Sequence, residues 1–255
     1  HRGFLHELLS LFRLYPRLGM VGVVGTTRLP RTGVWFWRNP FHCYGRLWEY
    51  RRPGGPSSLL GPANRRRLHL MHFRSFVGDY LPAAAVDGLF VATQYDLPWE
   101  DELGGFELYE QVQAVRFIQA GLEVGIARQE SIWCLHWGPP RERTREEAGR
   151  RWRAVEQRAE RFRREHADFI GVPALELIRR HAPPPPRRSP ERLAAIIVTF
   201  NGREVLRRAL RALLSQCQQL SDVVSEVIVV DNASTDGTVE AVRQEFPQVT
   251  VLQRP

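Results

Sequence analysis

The sequence lacks lysine and is poor in the features that build disulfide frameworks or membrane spans. All 36 Lys-plus-Arg side chains are arginines, and frequent alanine, glycine and proline indicate a GC-rich coding bias rather than a special use of arginine. The three cysteines, Cys43, Cys134 and Cys217, are far apart and odd in number, which is typical of reduced thiols in a cytoplasmic protein. No apolar run approaches the roughly 20 residues that cross a bilayer, so we expect no transmembrane segment.

The formal net charge of +8 could attract nucleic acid, an acidic membrane surface or a phosphorylated small molecule, because surface charge steers anions of every kind. Many of the arginines lie in residues 141–164, where interleaved glutamates have the spacing that pairs charges along a helix. This pattern favours a solvated helical face. Because no RNA- or DNA-binding signature accompanies the charge, we expect no nucleic-acid partner, and peripheral membrane association stays open.

A proline-rich segment divides the chain. The stretch "HAPPPPRRSPER" at 181–192 contains four consecutive prolines, which stiffen the backbone into an extended spacer. The sequence therefore predicts one domain at residues 1–180, a linker at 181–190 and a second domain at 191–255.

The second domain has the pattern β-α-β-α-β. Apolar runs at 193–200 ("LAAIIVTF") and 226–231 ("EVIVVD") flank a helix that repeats Leu206, Leu210 and Leu213, and a shorter helix and the strand "VTVLQ" follow. Strands that are apolar on both faces predict a parallel sheet covered by helices.

Residues 1–180 predict a mixed α/β region. Its helices are "FLHELLSLFRLYPRLG", "EQVQAVRFIQAG" and the arginine-rich stretch, and its strands are "MVGVVG", "AVDGLFVATQ" and "LEVGIARQESIWCLHW". The overall fold class is therefore α/β.

Polar residues follow the buried strands of the second domain. Ligands of open parallel sheets bind outside the carboxyl ends of the strands, where "TFN" at 199–201 and Asp231 lie. An acid there can accept hydrogen bonds from a ribose hydroxyl or a base N–H, and an uncompensated carboxylate beside a buried strand is costly. Asp236 and Thr238 also suit the cap of the next helix, so for Asp236 both roles stay open.

The segments "IIVTFNG", "VIVVDNASTDGT" and "VTVL" together resemble the start of a family 2 glycosyltransferase, over nearly all of residues 191–255. The resemblance implies a GT-A fold, which is Rossmann-like with a mostly parallel sheet and helices on both faces. In that family this half holds the nucleotide of a nucleotide-diphosphate sugar. It implies nucleotide-binding roles for Thr199, Phe200, Asn201, Asp231, Asn232 and Asp236.

The first 180 residues resemble the later part of a StrF-type glycosyltransferase in "LGMVGVVGTTRLP", "VDGLFVAT", "FELYEQVQAVRFIQAGLEV" and "WCLHWG". Related GT-A enzymes begin a helix with a carboxylate, followed by an arginine and a glycine at the spacing of Glu110, Arg116 and Gly121. The resemblance implies that Glu110, where the family usually has aspartate, is the base that deprotonates the acceptor hydroxyl in an inverting transfer. The alternative is a glutamate favoured by the helix dipole alone.

The same resemblance implies the other pocket residues. His136 would complete the coordination of a divalent metal, Mn or Mg, and a satisfied core histidine is the alternative. The implied donor and acceptor pocket consists of Asp87, Gly88, Arg116 and Trp137. Four aromatic side chains could stack on an acceptor sugar or pack in the core: Trp35, Trp37, Tyr44 and Trp48.

GT-A enzymes normally carry an acidic DXD motif that joins the metal to the donor diphosphate. No such motif occurs at a matching place, so we expect its ligands outside this chain. We therefore interpret the chain as two incomplete GT-A-like regions of a longer tandem enzyme, inactive or feeble as it stands. One composite sheet built from both regions is the less favoured alternative.

The expected function is transfer of a sugar from a nucleotide-diphosphate sugar to a carbohydrate or other hydroxyl acceptor. A non-catalytic module that binds a carbohydrate or partner protein is the first alternative. A dinucleotide-binding oxidoreductase also suits β-α-β-α-β, but the Gly-x-Gly-x-x-Gly turn of that class is missing.

Overall fold

The computed structural model describes residues 3–35, 40–51, 67–99, 108–137, 145–181, 192–220 and 223–254. The chain forms two compact units, Ser10–Pro186 and a smaller one that joins His1–Leu9 to Arg187–Pro255. Their division after residue 186 lies within the predicted linker, although residues 182–190 of that linker are outside the described ranges. The larger unit begins at Ser10 rather than at the first residue.

The elements up to residue 181 follow the mixed α/β prediction. The helices are α1 (Phe4–Leu14), α2 (Tyr109–Gln119), α3 (Arg145–Glu165) and α4 (Ala174–Arg180). The strands are β1 (Leu18–Gly22), β2 (Val24–Thr26), β3 (Cys43–Arg51), β4 (Arg67–His72), β5 (Tyr80–Pro82), β6 (Ala85–Val86), β7 (Val91–Thr93), β8 (Glu123–Ala127) and β9 (Leu135–Trp137).

Two sheets form the larger unit. One has the order β5-β8-β1-β7, in which only β1 and β8 run parallel. The other has the order β4-β3-β2-β6, all antiparallel, and β9 pairs parallel with β3. This unit therefore differs from the mostly parallel sheet that the resemblance implies. Short connections join antiparallel strands, whereas parallel strands need a long crossover. Among the described residues of this unit, α2 is the one α-helix between two strands.

Three single-strand predictions were wrong. The stretch "MVGVVG" at 20–25 divides between β1 and β2, which belong to different sheets. The stretch 85–94 forms β6 and β7 in different sheets, because the Asp87 carboxylate accepts a hydrogen bond from the Leu89 N–H at 2.8 Å and turns the chain. The stretch 122–137 forms β8 and β9, and the loop between them is folded by the Gln129 side chain, which accepts from the Trp133 N–H at 3.0 Å.

Helix α2 is the centre of the larger core. Val112, Val115, Phe117 and Ile118 expose at most 2% of their surface, and burying each such side chain contributes about 1.5–3 kcal/mol. Gly19 on β1 permits the close packing, because a Cβ there would overlap the Phe117 ring.

Helix α3 confirms the solvated face predicted for the arginine-rich stretch. Arg150 and Glu146 pair at 2.6 Å on the exposed side. Val155, Ala159 and Phe162 repeat at helical spacing and are buried.

The smaller unit confirms β-α-β-α-β. Its elements are β10 (Arg192–Thr199), α5 (Arg203–Cys217), β11 (Val224–Asn232), α6 (Thr238–Glu245) and β12 (Thr250–Arg254). The strands pair in the order β10-β11-β12 and are all parallel.

One face of this sheet is open. Leu206 and Leu210 of α5 pack with Val229 of β11 on the covered face, whereas Ile196 and Val198 on the other face are 65% and 63% exposed. The prediction that helices cover both faces was therefore wrong for the described residues. The strand order β10-β11-β12 runs in one direction across the sheet. Right-handed crossovers in such an order place both connecting helices, α5 and α6, on the same face. A helix on the other face requires a strand order that reverses.

Candidate functional site

The parallel strands of the smaller unit bring the predicted nucleotide-binding residues together. Thr199, the last residue of β10, is directly opposite Asp231 near the end of β11. Asn201 follows β10, and Asn232 is the last residue of β11. Phe200 is 64% exposed beside this edge.

Asp231 is completely buried at this edge. Its Oδ2 accepts a hydrogen bond from the Ser234 N–H at 2.9 Å. Its Oδ1 is buried as well and has no hydrogen-bond partner in the part of the chain that the structure describes. A buried acceptor left unpaired costs about 1–3 kcal/mol. A hydrogen-bond donor that binds this oxygen would therefore recover that free energy.

The two loops that follow β10 and β11 are joined by a set of hydrogen bonds, which we call the loop clasp (Asn201, Arg203, Ser234, Thr235 and Asp236). The Asn201 N–H donates to Ser234 Oγ, and the Thr235 N–H donates to Asn201 Oδ1, both at 2.8 Å. The Arg203 N–H donates to Asp236 Oδ2 at 3.2 Å. The clasp fixes the backbone around Asp231.

Asp236 is occupied by its protein partners. Its Oδ1 accepts from the Thr238 N–H at 3.1 Å and also from the Thr238 hydroxyl. It thus satisfies the N–H of the first residue of α6, as the cap interpretation expects, although Gly237 holds the N-cap position itself. Burial alone would raise the pKa of Asp236, but the hydrogen bonds from Thr238 and Arg203 outweigh it and hold this pKa below its ordinary value. A nucleotide contact at this carboxylate stays a prediction.

In the larger unit, a turn at Asp87 and Gly88 meets the start of α2. The Tyr109 hydroxyl donates to the Gly88 carbonyl at 3.1 Å, and a Cβ at Gly88 would overlap that hydroxyl. Glu110, the predicted base, is in the first turn of α2 and exposes 6% of its surface. The structure therefore packs the turn that carries Asp87 against Tyr109, the residue next to Glu110.

The predicted spacing of Glu110, Arg116 and Gly121 has a structural basis. Arg116 Nη1 donates to the Pro98 carbonyl at 2.8 Å and holds a neighbouring segment against α2. Gly121 has a φ of 74°, and its N–H donates to the Ile118 carbonyl at 2.8 Å. A glycine in this left-handed conformation is a common helix end.

His136 lies on β9 opposite Glu49 of β3, which is itself opposite His69 of β4. Nevertheless, no three His, Cys, Asp or Glu side chains within the described ranges are grouped so that they could hold a metal ion. A role for His136 as a single ligand of the expected divalent metal stays a prediction, and we assign no chemical step to a metal. Of Trp137, only the backbone at the end of β9 is described.

Cys134 precedes β9 and lies within electrostatic reach of Asp87. Burial, and secondarily the charge of Asp87, raise the pKa of the Cys134 thiol to about 12. Burial also raises the pKa of Cys43. Both thiols are therefore protonated at neutral pH and poor nucleophiles.

The predicted aromatic platform is only partly present. Trp35 is 3% exposed and belongs to the core, so of its two open roles the structure supports core packing. Tyr44 is half-buried, with the Arg74 guanidinium 5.5 Å from its ring centre, and Trp48 is 36% exposed. Trp37 lies outside the described residues.

The buried side chains also include glutamines that were not predicted, among them Gln111 and Gln129. Gln111 Oε1 accepts from the Trp35 N–H at 2.9 Å, and its Nε2 donates to the Gly33 carbonyl at 2.8 Å. Gln129 Nε2 donates to the Arg46 carbonyl at 2.9 Å. No sequence pattern predicted that either glutamine is buried, because a glutamine is normally interpreted as a surface residue.

A model described as a glycosyltransferase-like family matches residues 1–157, more than half of the 255 residues. The chain belongs to this glycosyltransferase-like family. A second family model, described as glycosyl transferase family 2, matches residues 194–255 of the same chain. None of the curated proteins and none of the solved structures compared with it matches.

These matches confirm the family-level prediction and support a sugar-transferring enzyme with a donor and an acceptor. The α/β architecture fits a GT-A-like fold, as predicted. The StrF-type assignment stays a prediction. Among the helices described for this glycosyltransferase, none has the length and apolar character to span a membrane.

Proposed function

We propose that the protein takes part in the transfer of a sugar from a nucleotide-diphosphate sugar to an acceptor hydroxyl. The observation that carries the proposal is the unpartnered Oδ1 of buried Asp231, at the carboxyl end of a parallel strand. That edge is where open α/β sheets bind their ligands.

The nucleoside supplies the donor that this oxygen lacks. A base N–H or a ribose hydroxyl can donate to Asp231 Oδ1, while Oδ2 stays bonded to the Ser234 N–H. Because Asp231 has no exposed surface, the proposal requires the 233–237 loop to shift when the nucleoside enters. Amide exchange in that loop should change on binding.

In the larger unit, taken as a glycosyltransferase region of its own, we assign the base of the chemical step to Glu110. The acceptor oxygen attacks the anomeric carbon, the bond from that carbon to the diphosphate oxygen breaks, and the nucleoside diphosphate leaves with the electron pair. The acceptor proton passes to the Glu110 carboxylate. Attack opposite the leaving group inverts the anomeric configuration.

One observation favours the non-catalytic alternative, a module that binds a carbohydrate without transferring it. Glu110 exposes only 6% of its surface, and a first-turn glutamate stabilises a helix without any catalysis. A Glu110→Gln variant separates the two, because a catalytic base lowers the rate of sugar transfer whereas a structural glutamate lowers only stability.

Calorimetric titration of the full chain with UDP, GDP and dTDP tests the nucleotide assignment. Asp231→Asn should weaken binding about 10-fold or more, since removing a charge-assisted hydrogen bond costs about 1.5–3 kcal/mol. Glu240→Gln is the matched control, because Glu240 is an exposed carboxylate of the same unit. Absence of binding by all three nucleotides would contradict the proposal.

A further inference from the structure

Trp99 is an exposed aromatic side chain in a fixed position. It exposes 46% of its surface, yet α2 holds the two residues before it. Gln113 Nε2 donates to the Leu97 carbonyl at 3.1 Å, and Arg116 Nη1 donates to the Pro98 carbonyl at 2.8 Å. Gln113 is itself 1% exposed, so one of the two anchors lies in the core.

The Trp99 ring packs against the ring of Tyr109, the first residue of α2. Its ring centre is 6.1 Å from that of Tyr109, with 44° between the ring planes. The Tyr109 hydroxyl in turn donates to the Gly88 carbonyl. The aromatic pair thus lies beside the turn that carries Asp87, one residue from Glu110.

This combination has the chemistry of a sugar subsite. A pyranose ring presents apolar C–H surface that packs on aromatic rings, and a rim of hydroxyls that carboxylates and carbonyls accept from. Ligand sites combine such aromatic walls with a few placed polar groups. A single exposed tryptophan is ordinary on a protein surface. Here, however, two α2 side chains hold the residues before Trp99, and its ring packs on Tyr109, which bonds to Gly88.

We propose that Trp99 and Tyr109 form the aromatic wall of a subsite for a pyranose ring of the acceptor, with the Asp87–Gly88 turn as its polar side. The inference rests on the proposed function, which makes a carbohydrate the acceptor.

Saturation-transfer NMR on the full chain tests the subsite, with the methyl β-glycosides of glucose, galactose, mannose and N-acetylglucosamine as probes. Trp99→Ala should weaken binding of the responding glycoside by about five- to thirtyfold, the effect of truncating an aromatic anchor. Trp99→Phe keeps an aromatic ring and should retain most of the binding. Trp152→Phe, a change at a 53% exposed tryptophan of α3, is the matched control and should change nothing.

Tyr109→Phe provides an independent variant, because it keeps the ring and removes only the bond to Gly88. Thermal unfolding of every variant checks that the fold is intact. No saturation transfer to any of the four glycosides, or equal binding by the Trp99→Ala and parent proteins, would overturn the subsite.

The same samples separate this subsite from the nucleotide assignment. Glycoside binding that depends on Trp99, without binding of any nucleoside diphosphate, would support the subsite and contradict the proposed function. Nucleotide binding without glycoside binding would overturn the subsite alone.

Discussion

Asn201 Oδ1 accepts a hydrogen bond from the backbone N–H of Thr235, 2.8 Å away on the neighbouring loop. The two residues are far apart in sequence and meet because β10 and β11 end at the same edge of a parallel sheet. The amide of Asn201 thereby holds the loop that begins at Asp231, and we infer a positioning role for it.

Replacing Asn201 tests this role. Its φ of 48° is left-handed, so Asn201→Gly keeps the backbone conformation and removes the amide, while it adds some conformational entropy to the unfolded chain. We expect a loss of about 0.5–1.5 kcal/mol in the free energy of unfolding, measured by urea titration. Asn201→Asp keeps an acceptor oxygen for the Thr235 N–H and should therefore retain most of the stability that Asn201→Gly loses. Equal losses in both variants would rule out the oxygen as the cause.

Ala233 also has a left-handed backbone, with a φ of 59°. This conformation costs a residue with a Cβ roughly 1–2 kcal/mol. Ala233→Gly should therefore raise the midpoint temperature of thermal unfolding. The rise is reduced by the conformational entropy that glycine adds to the unfolded chain. A lower midpoint in calorimetry would show that the loop needs the methyl group.

Asp236 gives the smaller unit an acid-sensitive contribution. Its folded-state pKa lies below the ordinary value of 3.8, through its bonds with Thr238 and Arg203, which outweigh the effect of burial. Its stabilisation is therefore present above the unfolded pKa and is lost as pH falls through the folded pKa. Stability should decline between about pH 5 and pH 2, less steeply in Asp236→Asn than in the parent. Arginines also lower the pKa values of Glu165 and Glu245. These two carboxylates therefore cause a loss of stability in acid that the parent protein and the Asp236→Asn variant share. Identical slopes would exclude Asp236 as a contributor.

The sequence could predict the meeting of Thr199 and Asp231, since parallel strands end at one edge, but not the partners of Asn201. Those partners depend on how two distant loops turn. Continuous apolar runs likewise concealed the turns at Asp87 and Gln129, because hydrophobicity does not record which sheet a strand joins.

Gly88 and Gly149 should respond to alanine with opposite signs. A Cβ at Gly88 would overlap the rigid Tyr109 side chain, so Gly88→Ala should destabilise by about 1–3 kcal/mol. A Cβ at Gly149, inside α3, would meet only Arg153 Nη1, at an ordinary contact distance of 3.5 Å, so Gly149→Ala should stabilise by about 0.5–1 kcal/mol. Urea unfolding of both variants provides the comparison. An unchanged free energy of unfolding in Gly88→Ala would mean that the Tyr109 side chain moves away from the new methyl group at little cost.

The two faces of the β10-β11-β12 sheet should also respond differently to one change of chemistry. Ile196 is 65% exposed and Val229 is 1% exposed, and threonine keeps the β-branched shape that strands favour. Val229→Thr buries a hydroxyl against α5 and should cost about 1–3 kcal/mol, whereas Ile196→Thr should change stability by less than about 0.5 kcal/mol. Urea unfolding followed by circular dichroism measures both. A large loss from Ile196→Thr would mean that the face is covered in solution, and the concentration dependence of that loss would show whether a second copy covers it.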